Sequence, residues 1–370
     1  MKAAVPLSQV RERAARGEIL VIREVLSPDE MDWLRQLLGP EAPDGVEQIH
    51  RHLDPARLVQ VTEAMTDAFR RMAPDFLGEV LPRLGFSPPF FFERTPNVRV
   101  HLPYGSWLQG RRDFQEHARL HGDGKLSVHS PHRDSDHGCP VNAINLWLAL
   151  GRVRPGNGLC IYPRGWNREL DADVFAEAVS FDLEPGDAVV FAGEHLHTSE
   201  LNCTDESRFV ASFRLTPELP RFRAPSLHEY VCSHPSLSSR LRQTAQRAVA
   251  LLSPKREAAE TAFPPRPAPK VELRDGAYLV EAEGPAGIWP LSEKLCLVRF
   301  EDGQGGLIHR RCPHQGTDLA AVGQVHGHRV VCPWHNVTLD PPCPALKPVR
   351  IPCQVERQDG RLLLRPEEPS

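Results

Sequence analysis

Two short cysteine-histidine motifs near the C-terminal end constrain the fold more than any other feature of the chain. Cys312 and His314 form the first motif, and Cys332 and His335 form the second after a gap of seventeen residues. Two thiolates and two imidazoles suit either a tetrahedral zinc ion or an iron–sulfur cluster. In both cases the two motifs must lie side by side, so the last hundred residues must fold around two adjacent loops.

A proline follows each of these cysteines, and a Cys-x-His pair is unusual for a zinc finger. The pattern resembles that of Rieske proteins, more closely the ferredoxin-like domains of bacterial oxygenase systems. This resemblance implies a [2Fe–2S] cluster with the two cysteines on one iron and the two histidines on the other. Val337 stands where high-potential forms have a serine that donates to a cluster sulfide. We therefore expect a reduction potential below roughly 0 mV.

A second metal-binding pattern lies in the first two thirds of the chain. His132 and Asp134 are two residues apart in a stretch predicted to be extended, so their side chains share a face. His197, at the end of an apolar strand prediction, is the best candidate for a third ligand. Two imidazoles and one carboxylate leave coordination positions open, as non-haem Fe(II) requires when it binds a co-substrate and O2. A chance pair is the alternative, because seventeen histidines are spread along the chain.

The region from about Gly17 to Leu215 resembles the phytanoyl-CoA dioxygenase family of Fe(II)/2-oxoglutarate oxygenases. The shared motifs are the His-x-Asp pair, a Trp-x-Ala-Leu strand at 147–150, an Asn-Gly turn, a Pro-Gly-Asp turn and the distal histidine. The resemblance implies that His132, Asp134 and His197 hold Fe(II).

The same resemblance implies an anchor for 2-oxoglutarate. The family has an arginine eleven residues after the distal histidine and a hydroxyl residue two after it, which correspond to Arg208 and Ser199. An arginine fork binds a carboxylate through two charge-assisted hydrogen bonds. Arg214 is a nearby rival for this role. Asn145 and Trp147 share one strand face and are expected to line the cofactor or substrate pocket, with simple core packing as the alternative.

Two positions of the chain, compared with the family and its halogenating relatives, bear on the substrate and the reaction. Residues 163–166 read Pro-Arg-Gly-Trp where the family commonly has Gly-Ser-His, which suggests a different substrate pocket. Asp134 stands where halogenating relatives have a small residue, so hydroxylation or a related C–H oxidation is expected.

The patterning predicts a mainly β chain with N-terminal helices: a double-stranded β-helix (jelly roll, cupin-like) followed by a small antiparallel β Rieske domain. Expected helices start at Pro28, run from Asp54 to Met72 ahead of Pro74, and run over 237–252. Dense prolines indicate a stiff linker. The predicted oxygenase domain comprises residues 1–252, the linker residues 253–270, and the predicted Rieske domain residues 271–370.

Composition and charge limit the classes of partner and the cellular location that the sequence predicts. A net charge of −4 argues against a nucleic-acid partner, and no apolar run is long enough for a membrane span or a signal peptide. Nine cysteines, an odd number, do not resemble a secreted disulfide framework. We expect a cytoplasmic protein, and the sequence leaves open whether it forms a homo-oligomer.

The sequence thus predicts an Fe(II)/2-oxoglutarate oxygenase that uses O2 to oxidise a small molecule, with a secondary metabolite as the expected substrate class. Because 2-oxoglutarate supplies both electrons in such a reaction, the cluster is expected to re-reduce oxidised iron or to feed another outcome, with a reductase as its partner. One alternative is a Rieske-driven oxygenase that does not use 2-oxoglutarate. A non-enzymatic redox sensor is the other.

Overall fold

The computed structural model describes residues 6–38, 41–110, 130–223, 226, 228–234, 268–340 and 343–367. The chain divides into two compact units, of which the first comprises Met1–Asn167 and Val179–Ala259 and the second Arg168–Ala178 and Glu260–Ser370. The second unit therefore includes eleven residues that the sequence placed in the first domain. The predicted helix over 237–252 and most of the predicted linker lie outside the described residues.

Four α-helices belong to the described part of the first unit. The second begins with a capping box, because the Ser27 hydroxyl accepts from Glu30 N and the Glu30 carboxylate accepts from Ser27 N. Asp54 caps the third by accepting from Arg57 N at 2.8 Å. The helices are α1 (Val10–Ala15), α2 (Pro28–Leu38), α3 (Pro55–Arg83) and α4 (Tyr104–Gln109).

Helix α3 is longer than predicted. The expected end before Pro74 is wrong, since the helix continues to Arg83 with Pro74 inside it. An interior proline costs about 3 kcal/mol. Beyond the proline, Leu77, Val80 and Leu81 remain buried on the same apolar face, and their burial offsets that cost.

The first unit contains two antiparallel sheets. One has the order β1-β7-β4-β9-β2-β10, with β3 also paired to β9, and the other has the order β6-β5-β8. The strands are β1 (Leu20–Ile22), β2 (Phe91–Glu93), β3 (Asn97–His101), β4 (Ile144–Ala149), β5 (Leu159–Tyr162), β6 (Val179–Ser180), β7 (Ala188–Ala192), β8 (Leu196–Ser199), β9 (Arg208–Thr216) and β10 (Tyr230–Cys232).

The two faces of the large sheet have different roles. On one face, Phe209 and Phe213 of β9 join the main core together with α3 residues such as Phe69. On the other face, Val210 packs in a second core with Ile161 of the small sheet. Because side chains alternate along a strand, Arg208, Ser212 and Arg214 of β9 also point to this second face. The interior between the two sheets is where the polar residues gather.

The second unit is built of short antiparallel strands. Its sheets have the orders β11-β12-β21-β20, β13-β14-β15-β19 and β16-β17-β18. Its elements are β11 (Val271–Arg274), β12 (Ala277–Glu281), β13 (Gly287–Pro290), β14 (Leu295–Arg299), β15 (Gly305–His309), α5 (Leu319–Val322), β16 (Gln324–His326), β17 (Arg329–Cys332), β18 (Val337–Thr338), β19 (Arg350–Ile351), β20 (Cys353–Gln358) and β21 (Arg361–Pro366).

The predicted fold class is confirmed: a mainly β chain with N-terminal helices, two antiparallel sheets in the first unit and a small antiparallel β unit after them. Among the described residues, no helix has the length and apolar character needed to cross a bilayer.

Candidate metal centres

Three side chains of the first unit meet between the two sheets. Ligand atoms of His132, Asp134 and His197 all lie within 4.8 Å of one another. The backbones of His132 and His197 exchange two hydrogen bonds of 3.0 Å, and Asp134 N donates to Gly193 O at 2.9 Å. Main-chain pairing therefore holds the backbone of all three donor residues in one place.

The local structure of this site differs from the sequence prediction in two respects. Asp134 is not in extended chain but opens a 3-10 helix, Asp134–His137. His197 lies on β8, a separate strand that follows β7 after a turn. An isolated antiparallel bridge joins the backbones of His132 and His197. After Arg133 the chain turns into the 3-10 helix, which brings the Asp134 carboxylate back towards β7.

Hydrogen bonds to the backbone select the tautomer of both imidazoles. His132 Nδ1 is 2.7 Å from Ser130 O, and His197 Nδ1 is 2.9 Å from His195 O. A carbonyl can only accept, so Nδ1 carries the proton in each ring and Nε2 carries the lone pair. Metal-binding histidines are typically oriented in this way, and the donor set fits an iron site.

The protonation states also fit a metal. Burial, with the neighbouring imidazole contributing, lowers the pKa of His132 well below its usual value, and burial lowers that of His197. Burial opposes ionisation of Asp134, but Arg214 and the two imidazoles hold the pKa of this carboxyl well below its usual range. At neutral pH the site thus presents two neutral imidazoles and a carboxylate, the forms that bind a cation.

Both oxygens of Asp134 are held. Asn145 Nδ2 donates to Oδ2 at 2.5 Å, and Arg214 Nε donates to Oδ1 at 3.0 Å. Gly193 provides the space, since a Cβ at this position would lie 2.9 Å from Oδ2. Asn145 therefore contacts the proposed iron carboxylate directly.

A cavity of about 490 Å³ opens beside the three donors. Among its lining residues are all four expected cofactor-binding side chains, Asn145, Trp147, Ser199 and Arg208. A cavity of this size can hold a small molecule together with a co-substrate.

Arg208 is a buried cation that suits a carboxylate ligand. Its side chain is 2% exposed, Nη1 donates to Gly158 O at 2.7 Å, and its guanidinium lies 5.4 Å from the ring centre of Trp147. Burial, together with the nearby charge of Arg99, lowers the pKa of Arg208 to about 9, so it remains charged at neutral pH. Arg214, the rival for this role, contacts Asp134 and Glu93 instead.

The unusual turn at 163–166 does not line the described cavity. Trp166 stacks on His195 with ring centres 4.5 Å apart, and Arg133 Nη2 donates to Gly165 O at 2.9 Å. Burial lowers the pKa of His195 to about 4, and its ring contacts Gly17 O. His195 is therefore a neutral neighbour of the site, while His129 lies outside the described residues.

Glu93 and His228 are among the cavity-wall residues that sequence reasoning missed. Glu93 Oε2 accepts from Arg214 at 2.9 Å, and Glu93 Oε1 is 2.5 Å from His228 Nδ1. The available signal was a carboxylate directly after the apolar run Phe90–Phe92, since a buried charge requires a partner.

In the second unit the two cysteine-histidine motifs meet. The sulfurs of Cys312 and Cys332 share a hydrogen bond, and the Nδ1 atoms of His314 and His335 are 3.2 Å apart. The contact with Cys332 lowers the pKa of Cys312 to about 7, while that of Cys332 is raised well above its usual value. Two sulfurs and two nitrogens that approach in pairs fit a cluster with two cysteines on one iron and two histidines on the other.

Main-chain amides and one hydroxyl surround the sulfurs. Cys312 Sγ accepts from the backbone N–H groups of His314 and Gln315, and Cys332 Sγ from that of Trp334. The Thr317 side chain also hydrogen-bonds to the Cys332 sulfur. Thr317 thus provides a side-chain hydrogen bond to a cluster cysteine, which the apolar side chain of Val337 cannot provide.

The segment Arg168–Ala178 packs within the second unit. Phe175 is 2% exposed, and its ring centre lies 6.1 Å from that of Trp334, which stands between Cys332 and His335. This segment comes between β5 and β6 in the sequence, and no feature of the sequence predicted its packing.

Two family models match the chain. Residues 274–358 match "Rieske [2Fe-2S] domain", and residues 111–210 match "Phytanoyl-CoA dioxygenase (PhyH)". The predicted pairing of an oxygenase domain with a C-terminal Rieske domain is confirmed. The PhyH match and the His-Asp-His donor set support the expected Fe(II) and 2-oxoglutarate, and the Rieske match supports the expected [2Fe–2S] cluster.

Individual relatives share only parts of the chain. Cholesterol 7-desaturase of Bombyx mori is 37% identical over 65 residues, which are 18% of this chain and 13% of that protein. The crystal structure of the non-heme alpha-ketoglutarate-dependent epimerase SnoN from nogalamycin biosynthesis is 19% identical and covers 57% of this chain and 82% of its own, with a TM-score of 0.37. The non-heme monooxygenase ThoJ in its Ni complex is 16% identical over 65% of this chain and 96% of its own, also with a TM-score of 0.37.

Proposed function

We propose that this chain, which joins a phytanoyl-CoA dioxygenase domain to a Rieske domain, oxidises a C–H bond of a small molecule with Fe(II), 2-oxoglutarate and O2. One observation carries the proposal: His132, Asp134 and His197 converge at a cavity that Arg208 also lines. Metal donors and a buried cation at one cavity suit a ligand that binds iron at one end and carries a carboxylate at the other.

Each side chain has a defined task in this proposal. His132, Asp134 and His197 would hold Fe(II), Arg208 would anchor the far carboxylate of 2-oxoglutarate, and Ser199, which lines the same cavity, would assist in its binding. Iron and 2-oxoglutarate together supply oxidation by O2, with 2-oxoglutarate converted to succinate and CO2. Trp147 stacks on the Arg208 guanidinium and holds it in place.

The substrate occupies the rest of the cavity, where Thr66, Asn97 and Arg99 form the wall. Asp134 occupies the carboxylate position at the metal, so hydroxylation is the proposed outcome rather than halogenation. A secondary metabolite is the proposed substrate class.

The Rieske cluster is proposed to be held by Cys312, His314, Cys332 and His335. It keeps the iron of the first unit reduced, and a separate reductase delivers its electrons. The presence of this cluster also favours a second candidate function, in which the cluster supplies both electrons and 2-oxoglutarate is not used.

Conversion of 2-oxoglutarate to succinate in the absence of substrate tests the proposal without knowledge of the substrate. The Fe(II)-loaded protein is exposed to O2, and succinate is followed by NMR. We expect slow, iron-dependent formation that Asp134→Ala abolishes and Arg208→Ala reduces at least tenfold, with the exposed Arg221→Ala as the matched control. Succinate formation that survives Asp134→Ala, or none in the wild type, would contradict the proposal.

A further inference from the structure

A closed ring of polar contacts surrounds the turn that carries the proposed iron carboxylate. It runs from Asp134 to Arg214, from Arg214 to Glu93, and from Glu93 to His228. His228 Nε2 then contacts His137 O at 3.1 Å. Since Asp134 and His137 are the two ends of one 3-10 helix, the ring holds this turn at its first side chain and at its last carbonyl.

The strand register explains why the ring can close. Asn145 of β4 and Arg214 of β9 are direct cross-strand partners. Both therefore reach the same carboxylate from the same sheet face, Asn145 at Oδ2 and Arg214 at Oδ1. With one donor on each oxygen, rotation of the Asp134 carboxylate would break a buried hydrogen bond.

Charges alternate around the ring. Asp134 and Glu93 are acidic, Arg214 lies between them, and the Arg214 and Glu93 side chains are 14% and 9% exposed. His228 follows Glu93 and is also 3.8 Å from Cys139 Sγ. If Glu93 lost its charge, Asp134 would be the remaining anionic partner of Arg214 in the ring. A change at Glu93 should therefore alter how Arg214 holds Asp134.

We infer that Arg214, Glu93 and His228 are positioning residues that orient Asp134 for the metal, although Glu93 and His228 touch neither the proposed metal ligands' side chains nor the 2-oxoglutarate anchor. This inference rests on the proposed function, because it assumes that Asp134 binds iron. It assigns Arg214 a role different from the co-substrate anchor that its place in the sequence suggested. Partners that orient metal ligands affect metal affinity by about tenfold to a hundredfold.

Fe(II) affinity of the full-length protein tests the inference. Anaerobic calorimetry with Fe(II) alone should show at least a tenfold loss of affinity in Glu93→Gln. Glu229→Gln is the matched control, because Glu229 makes the same kind of ion pair, but with the exposed Arg94 at 3.0 Å. Its affinity should equal that of the wild type.

Three further variants separate positioning from general structural support. Arg214→Met should lower Fe(II) affinity, and Arg214→Lys should not restore it, because an ammonium group cannot hold two carboxylates in the fixed geometry of a guanidinium fork. Adding Glu93→Gln to Arg214→Met should cause no further loss, since residues of one network are not additive. Rescue by lysine or a multiplied loss in the double variant would overturn the inference.

The half-exposed end of the ring gives a milder probe in case the buried variants do not fold. His228→Gln should weaken Fe(II) binding by several fold with the [2Fe–2S] content unchanged, and wild-type affinity in this variant would count against the ring. If the wild type binds no Fe(II), or if Asp134→Ala binds it equally well, the proposed function fails instead. The two failures are therefore distinguishable.

Discussion

At the scale of single residues, His228 illustrates how a partly exposed side chain becomes linked to the site. Its hydrogen bonds with Cys139 and Glu93 raise its pKa to about 10. It is therefore an imidazolium ion at neutral pH, bound to a carboxylate that Arg214 also holds. Titration of this group should be visible in the stability of the first unit.

Replacement of His228 by glutamine should cost about 2 kcal/mol of stability at pH 6, as expected for a hydrogen bond to a charged group. Because the folded pKa of about 10 lies above the unfolded value of about 6.5, this contribution is complete below pH 6.5 and is lost as the pH rises through 10. Urea unfolding of the variant and the wild type from pH 6 to 10 measures the difference. A difference that stays constant over this range would show that His228 is not charged in the folded protein.

In the Rieske domain, the single residue with the most direct expected effect is Thr317. Its hydrogen bond to the Cys332 sulfur stabilises the additional negative charge of the reduced cluster. Thr317→Val should therefore lower the reduction potential, by about 40 mV if the bond contributes about 1 kcal/mol. Protein-film voltammetry measures the shift, with Thr338→Val in β18 as the control. An unchanged potential in Thr317→Val would exclude this role.

At the scale of elements, the sequence predicted well what depends on local pattern. The capping residues Ser27 and Asp54 mark the starts of α2 and α3, and the two cysteine-histidine loops lie where their spacing placed them. The end of α3 could not be predicted, because the burial of Leu77 and Leu81 depends on tertiary packing that a proline rule does not include.

Candidate site residues divide in the same way. Those within a short motif, such as Asp134, were readable from the sequence. Glu93, Arg214 and His228 come together only because β2, β9 and the chain before β10 are neighbours in the sheet. Non-local pairing of this kind leaves no local signal beyond a charged residue in an apolar strand.

Phe175, in the segment between β5 and β6, is expected to shield the second cluster loop. Phe175 covers Trp334 in the second cluster loop, so Phe175→Ala should admit water there and favour the more negatively charged reduced cluster. We expect a higher reduction potential and faster cluster loss, measured by redox titration and by the decay of visible absorbance. Phe300→Ala is a truncation of equal size in the same unit at a ring that contacts His328. Equal effects of the two variants would refute a specific role for Phe175.

At the scale of the whole molecule, the chain combines two redox centres that do not need each other in principle. An oxygenase that takes both electrons from 2-oxoglutarate can turn over without a Rieske cluster. The proposed role of the cluster is therefore maintenance, in which it returns oxidised iron to Fe(II).

Cys312→Ser tests this maintenance role, because it removes a proposed cluster ligand. With excess chemical reductant, succinate formation should continue at the wild-type rate, whereas with limiting reductant the variant should stop after a few turnovers. Cys353→Ser makes the same change in the same domain outside both cluster loops, and it should behave as the wild type. Sustained turnover by Cys312→Ser under limiting reductant would refute the role.

The central claim is that 2-oxoglutarate is a co-substrate held by Arg208. Anaerobic calorimetric titration of 2-oxoglutarate into the Fe(II)-loaded protein tests it most directly, with Arg208→Ala and the exposed Arg221→Ala alongside. The account predicts binding that requires the metal, is retained in Arg221→Ala and falls at least a hundredfold in Arg208→Ala, since a bidentate charged pair contributes about 3 kcal/mol. Absence of binding in the wild type would contradict the account and would indicate that the Rieske cluster supplies the electrons for O2.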